Sequence, residues 1–209
     1  MSVPTVFHFK GSRLAAWCLR RAGWTLHHRG FPSLQGVAIV YPHTSNWDFP
    51  VMLLAKWAIG VPVRFWGKDS LFRVPLFGRW LRSLGGVPVD RQAPHGAVAT
   101  MVDLMGAARE RHQVCWLALS PEGTRSFTPG WRSGFYRVAL EAQVPVAVIG
   151  LDWSRRTIDV SRFVHLQGRQ DADYGMLAAA LQGVSGRHPR QASPVRPLGP
   201  PAQTLKETP

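Results

Sequence analysis

Acidic residues are scarce in this chain: 12 Asp plus Glu stand against 25 Lys plus Arg over 209 residues, a formal net charge of +13. A surplus of that size sets up a positive field that attracts phosphate, anionic lipid or nucleic acid, and charge alone does not choose among them. Cysteine is almost absent. Cys18 and Cys115 lie far apart without metal-type spacing, so they suggest neither a disulfide framework nor a zinc site, and a reducing cytosol is the default compartment. No run of about 18 uncharged apolar residues occurs, so a conventional spanning helix is not expected. The N-terminus also lacks the compact apolar block and small-residue cleavage site of a secretory signal. Zinc-finger and RNA-recognition patterns are missing, and the arginines are scattered between tryptophans and leucines, which argues against nucleic acid as the partner.

Aromatics, by contrast, are plentiful. Nine Trp and ten Phe are a heavy load of rings that favour the boundary between apolar and wet environments. Together with the charge, they predict a protein lying on the cytoplasmic face of a membrane as a peripheral partner of its surface. From Ser12 to Leu26, Leu14, Ala15, Trp17, Cys18, Leu19 and Ala22 recur at spacings of one, three and four among Arg13, Arg20 and Arg21, which reads as an amphipathic helix. Packing on the core and lying on anionic lipid both fit that pattern.

Further along, short β-branched runs alternate with helical stretches. Val37 to Tyr41, Val61 to Trp66, Val87 to Val89, Val114 to Leu119 and Val144 to Leu151 read as strands. Phe49 to Ile59, Leu71 to Leu84 (interrupted near Pro75), His95 to Arg111, Gly134 to Gln143 and Asp171 to Leu181 read as helices. This alternation predicts an α/β fold with a mainly parallel central sheet flanked by helices, and places ligand chemistry at the carboxyl ends of the strands. The organisation expected is an N-terminal amphipathic, membrane-surface segment over 1–30, one domain over 31–184, and a Pro-rich flexible tail over 185–209. The tail holds Pro189, Pro194, Pro197, Pro200, Pro201 and Pro209, with too little apolar surface to offset ordering entropy.

Three polar turns follow apolar runs: Pro42-His43-Thr44-Ser45-Asn46-Trp47-Asp48, Gly85-Gly86-Val87-Pro88-Val89-Asp90-Arg91 and Ser120-Pro121-Glu122-Gly123-Thr124-Arg125-Ser126. His43 and Asp48 admit a plain reading, in which Thr44 or Ser45 caps the next helix and Asp48 completes the cap at its first turn. They also admit a chemical one. A carboxylate that accepts a hydrogen bond from one ring nitrogen fixes the histidine tautomer, so that the other nitrogen can remove a proton from a hydroxyl. Nothing matches the Gly-x-Ser-x-Gly elbow, which makes a serine or thioester hydrolase the weaker enzyme reading. A non-catalytic basic protein that binds anionic lipid or nucleic acid is the rival of another class.

The ordered set resembles the glycerolipid acyltransferase family, which includes 1-acylglycerol-3-phosphate acyltransferases. His43 to Asp48 resembles its His-x4-Asp box, Gly85 to Arg91 its second block, Pro121 to Ser126 its third and Val144-Pro145-Val146 its fourth. Ser120 stands where the family most often has an aromatic residue, Ala147 where a second proline is common, and Pro42 where an asparagine is familiar. The resemblance implies that an acyl group moves from an acyl thioester, carried by coenzyme A or acyl carrier protein, to a hydroxyl of a lysophospholipid such as 1-acyl-glycerol-3-phosphate. It implies His43 and Asp48 as the catalytic pair, no metal or redox cofactor, and substrate contacts from Lys68, Arg91, Glu122, Gly123, Thr124 and Arg125. Arginine suits that task because its guanidinium presents a planar fork to phosphate oxygens. Glu122 is expected to pair with an arginine or accept an acceptor hydroxyl, while Gly123 and Thr124 offer backbone donors.

Overall fold

A seven-stranded sheet divides the molecule into two packed layers, and its strand order β1-β7-β6-β2-β5-β3-β4 decides which loops meet. The computed structural model describes residues 6–89 and 94–199. The strands are β1 (Thr25–His28), β2 (Gln35–Tyr41), β3 (Val63–Lys68), β4 (Gly86–Val89), β5 (Cys115–Leu119), β6 (Val146–Asp152) and β7 (Thr157–Val164). All neighbours run parallel except β6 and β7, which pair antiparallel. The helices are α1 (Arg13–Arg21), α2 (Asp48–Ile59), α3 (Asp69–Phe72), α4 (Phe77–Ser83), α5 (Pro94–Glu110), α6 (Gly134–Glu141) and α7 (Gln170–Ala180).

The two-residue period of a strand sorts side chains onto the two faces. On β2, β5 and β6, Val37, Ile39, Cys115, Leu117, Val146 and Val148 join a core with α5, α6 and α7, including Phe135, Val138, Met105 and Leu177. The alternate residues Ala38, Trp116, Ala147, Ile149 and Leu151 join a second core with α1 and α2, including Leu19, Val51 and Ala55. Trp131, Phe135 and Tyr136 are buried in the first of these, as an aromatic face opening α6 suggests.

Two strands escaped the periodicity. The helix expected over Ser12 to Leu26 stops at Arg21, because Gly23 adopts φ +77°, and the chain then enters β1. Strand β7 carries half-polar alternation, Thr157-Ile158-Asp159-Val160, since it lies toward the sheet margin rather than at its centre. Helix α1 packs on the core through Ala15 and Leu19, which are buried, whereas Leu14 and Trp17 on it are more than half exposed.

The proline-rich stretch departs most from expectation. Over 185–199 it is no flexible tail but a strap laid across the strand ends, fastened by main-chain bonds and by Val195, which packs against the first core. Trp153 N donates to Ser185 O at 2.8 Å, Trp131 N to Arg196 O at 2.7 Å, and Leu198 N to Trp131 O at 2.8 Å. Residues 200–209 lie outside the described residues.

Candidate active site

Strands β2, β5 and β6 are neighbours, with Ile39 in register with Leu119 and Tyr41 with Gly150, so the turns that follow them are brought together. The turn after β2 carries His43 and runs into Asp48, the first residue of α2. His43 Nδ1 lies 3.0 Å from Asp48 Oδ2. The same oxygen accepts the backbone N–H groups of Thr44 and Ser45, each at 2.8 Å, while Oδ1 accepts the Trp153 indole N–H at 2.8 Å. Asp48 therefore turns back on the amides preceding its helix, as a reciprocal cap does, and orients His43 with the same carboxylate. Burial alone would raise its pKa, but the bonds from His43, Ser45 and Trp153 outweigh that and hold it below the ordinary carboxylate value. An ionised carboxylate has no proton to share, so Nδ1 carries the hydrogen, and in the neutral imidazole Nε2 then keeps the lone pair.

Glu122 follows β5 and is 1% exposed. Among the described residues no arginine pairs with it. Its Oε2 accepts the backbone N–H of His43 at 2.5 Å and its Oε1 that of Ser193 at 2.9 Å, so both oxygens are spent on main chain. Burial raises its pKa, opposed by those two amides. Glu122 thus ties the His43 turn to the strap. Gly123, at φ +68°, is likewise engaged inside the protein: its N–H donates to Ser120 O at 3.1 Å. A Cβ there would stand 2.6 Å from the Arg132 Nε. Thr124 accepts the Ser126 N–H through its hydroxyl at 3.3 Å.

Two cavities flank the His43 turn. One, of about 210 Å³, is apolar and lies between α2 and the sheet, lined by His43, Asp48, Phe49, Met52, Ala118 and Ser120 among others. Ala38 on β2 is in register with Ala118 on β5, and both line the cavity, so two small side chains stand side by side where larger ones would fill the space. Trp116, wholly buried, lines the same cavity. The other, of about 410 Å³, is polar and lined by Thr44, Ser45, Asn46, Trp47, Arg125, Ser126, Arg187, His188 and Gln191. Arg125 hydrogen-bonds Asn46 Oδ1 at its edge. Among the described residues, no group of three or more His, Cys, Asp or Glu side chains is placed to hold a metal ion.

A family model described as acyltransferase matches residues 23–152, more than half of the chain and all of the turns just described except the strap. The chain belongs to the acyltransferase family. It is 28% identical over 123 residues to the 1-acyl-sn-glycerol-3-phosphate acyltransferase of Escherichia coli strain K12, covering 57% of this chain and 48% of that protein. The chain thus spans about half the length of this curated relative. The crystal structure of the 1-acyl-sn-glycerophosphate (LPA) acyltransferase PlsC from Thermotoga maritima shares the fold at 15% identity, with a TM-score of 0.52 over 80% of this chain and 73% of that one.

Within this acyltransferase-family domain, the sequence blocks do not all converge. His43, Asp48, Glu122, Gly123, Thr124 and Arg125 gather on the ends of β2 and β5. Lys68 is exposed at the end of β3 and lines neither cavity; β5 lies between β3 and β2, a lateral offset of roughly 10 Å at the usual strand spacing. Arg91 lies outside the described residues. Three participants had no motif: Trp153 on the Asp48 carboxylate, Ser193 on Glu122, and Arg187 in the polar cavity. Only Trp153 left a usable sign, since it follows a buried strand that neighbours β2.

Proposed function

We propose that the protein transfers a fatty acyl group from an acyl thioester, acyl-CoA or acyl-ACP, to the free hydroxyl of a lysophospholipid, with 1-acyl-glycerol-3-phosphate as the acceptor. The observation that carries this reading is the position of the His43–Asp48 pair, on the turn that borders both an apolar and a polar cavity. The apolar space suits an alkyl chain and the cationic one a phosphate-bearing head group. His43 Nε2 takes the proton of the acceptor hydroxyl as its oxygen attacks the thioester carbonyl. The tetrahedral intermediate then expels the thiolate, which recovers that proton from the imidazolium. Asp48 holds the tautomer and stabilises the transient positive charge.

Peripheral attachment to the cytoplasmic membrane face accompanies this reading, since the acceptor is a lipid. Among the described residues, no helix is long and apolar enough to cross a membrane.

General-base help contributes on the order of a hundred- to ten-thousand-fold, so His43→Ala is expected to lose acyl transfer by that factor while keeping a native thermal transition. Thioester release measured with and without lysophosphatidic acid checks it. Unchanged turnover by His43→Ala would sink the mechanism, and release independent of acceptor would favour the hydrolase.

A further inference from the structure

The polar cavity beside His43 contains two guanidinium groups, and they come from opposite parts of the chain. Arg125 belongs to the block after β5. Arg187 belongs to the C-terminal strap, beyond the residues matched by the family model. The strap is fixed at three points on this face, two on Thr44 of the His43 turn and one on Glu122 after β5. His188 N donates to Thr44 Oγ1 at 3.2 Å, Ser193 N to Glu122 Oε1 at 2.9 Å, and Gly186 packs so closely that an added Cβ would lie 2.6 Å from Thr44 Oγ1.

Arg187 is held by rings. Its guanidinium lies 4.9 Å from the centroid of Trp153 and 5.9 Å from that of Trp47, so two cation–π contacts restrict a side chain that would otherwise sample many rotamers. Among the described residues, neither Arg187 nor Arg125 forms an ion pair with a carboxylate. Two uncompensated planar forks, with the hydroxyls of Thr44, Ser45 and Ser126 lining the same space, match a tetrahedral anion that accepts hydrogen bonds from several directions.

We propose that the strap completes the head-group site, with Arg187 acting beside Arg125 as a second ligand for the phosphomonoester of the acceptor. The identity of that acceptor rests on the acyl-transfer reading; the phosphate site itself does not. Trp47 and Trp153 flank Arg187, so intrinsic fluorescence reports occupancy without turnover.

The experiment titrates the full chain with glycerol 3-phosphate, inorganic phosphate, coenzyme A and, as the uncharged control, glycerol. Saturable quenching by glycerol 3-phosphate, weaker quenching by inorganic phosphate and none by glycerol are expected. In Arg187→Met, which keeps the apolar stem, the affinity should fall by about tenfold or more, as a lost charge-assisted pair implies, with Arg187→Lys intermediate. Protection of Arg187 from phenylglyoxal by glycerol 3-phosphate, mapped by mass spectrometry on the wild-type chain, covers the case in which the variant misfolds. Unchanged affinity in a folded Arg187→Met, no saturable response, no protection, or coenzyme A binding more tightly than glycerol 3-phosphate each overturns the assignment. Phosphate binding through Arg187 in a chain that transfers no acyl group would leave the site standing and remove the acyl-transfer reading instead.

Discussion

Four donors from two stretches of chain converge on the Asp48 carboxylate, and that sharing gives it a measurable signature in acid. Its folded pKa lies below the unfolded value. It therefore contributes stability that is fully present above the unfolded value of about 4 and is lost as pH falls through the depressed folded one. Asn at this position presents one acceptor oxygen and an N–H2 group, so it cannot accept the His43, Thr44, Ser45 and Trp153 donors together. Urea unfolding of wild type and Asp48→Asn from pH 7 down to about pH 3 should show a gap that is widest at neutral pH and closes below about pH 4. A gap that stays constant would mean that Asp48 is not ionised by its hydrogen bonds. Glu122 bears the opposite sign: burial raises its folded pKa, so its ionisation costs stability as pH rises from the unfolded value through the folded one. At this scale the sequence exposed His43, Asp48, Glu122 and Arg125 because they sit in local blocks. It hid Trp153, Arg187 and Ser193 because their partners are far away in the chain and no periodicity marks them. Nor did it show that Glu122 holds the main chain of His43 and Ser193, because both partners are more than 70 residues away.

Elements decide what the apolar cavity can hold. The alternation of β2, β5 and β6 was readable, and it announced buried strands, but the consequence of alanine at two registered positions lining the cavity needed the strand order. Ala38 and Ala118 stand side by side in its wall only because β5 flanks β2. Single-sequence periodicity found the helices and strands β2 to β6 and missed β1 and β7, short or half-polar elements on the far side of β6. Ala118→Leu adds three carbons to the cavity wall and should displace about three methylenes of a bound acyl chain. At about 0.8 kcal/mol per buried methylene, this costs roughly 2 kcal/mol, some thirty-fold in selectivity against long-chain donors. Competition between short- and long-chain acyl thioesters, read as relative kcat/KM, checks it, with thermal unfolding as the control for misfolding. An unaltered chain-length preference in a folded variant would show that the alkyl chain does not lie along the alanine pair.

At the scale of the whole molecule, the proposed membrane-surface attachment needs an exposed apolar face ringed by positive charge. Large apolar side chains stay exposed on adjacent helices: Leu14 and Trp17 on α1, Trp57 on α2, and Val74, Leu76, Phe77 and Trp80 across the α3–α4 stretch. The helices adjoin one another, with Ser12 N on Trp57 O at 2.8 Å and the Phe49 and Trp80 rings 6.4 Å apart between centroids. Arg13, Arg73, Arg79 and Arg82 interleave with those apolar residues along the chain, and the net charge is +13. Rings and aliphatic groups that insert, ringed by arginines that attract anionic head groups, make binding depend on both lipid charge and salt. The chain is therefore expected to co-sediment with phosphatidylglycerol vesicles much more than with phosphatidylcholine vesicles. Release should follow as salt rises from about 0.1 M to about 1 M, where the screening length shrinks from about 10 Å to about 3 Å. Leu76→Glu and Trp80→Glu remove insertion while lowering charge by one each, so they should weaken binding more than Glu110→Gln, a charge change on α5, strengthens it. Equal sedimentation with neutral and anionic vesicles would refute the electrostatic part, and wild-type binding by the Leu76 and Trp80 variants would move the docking face away from the α3–α4 stretch.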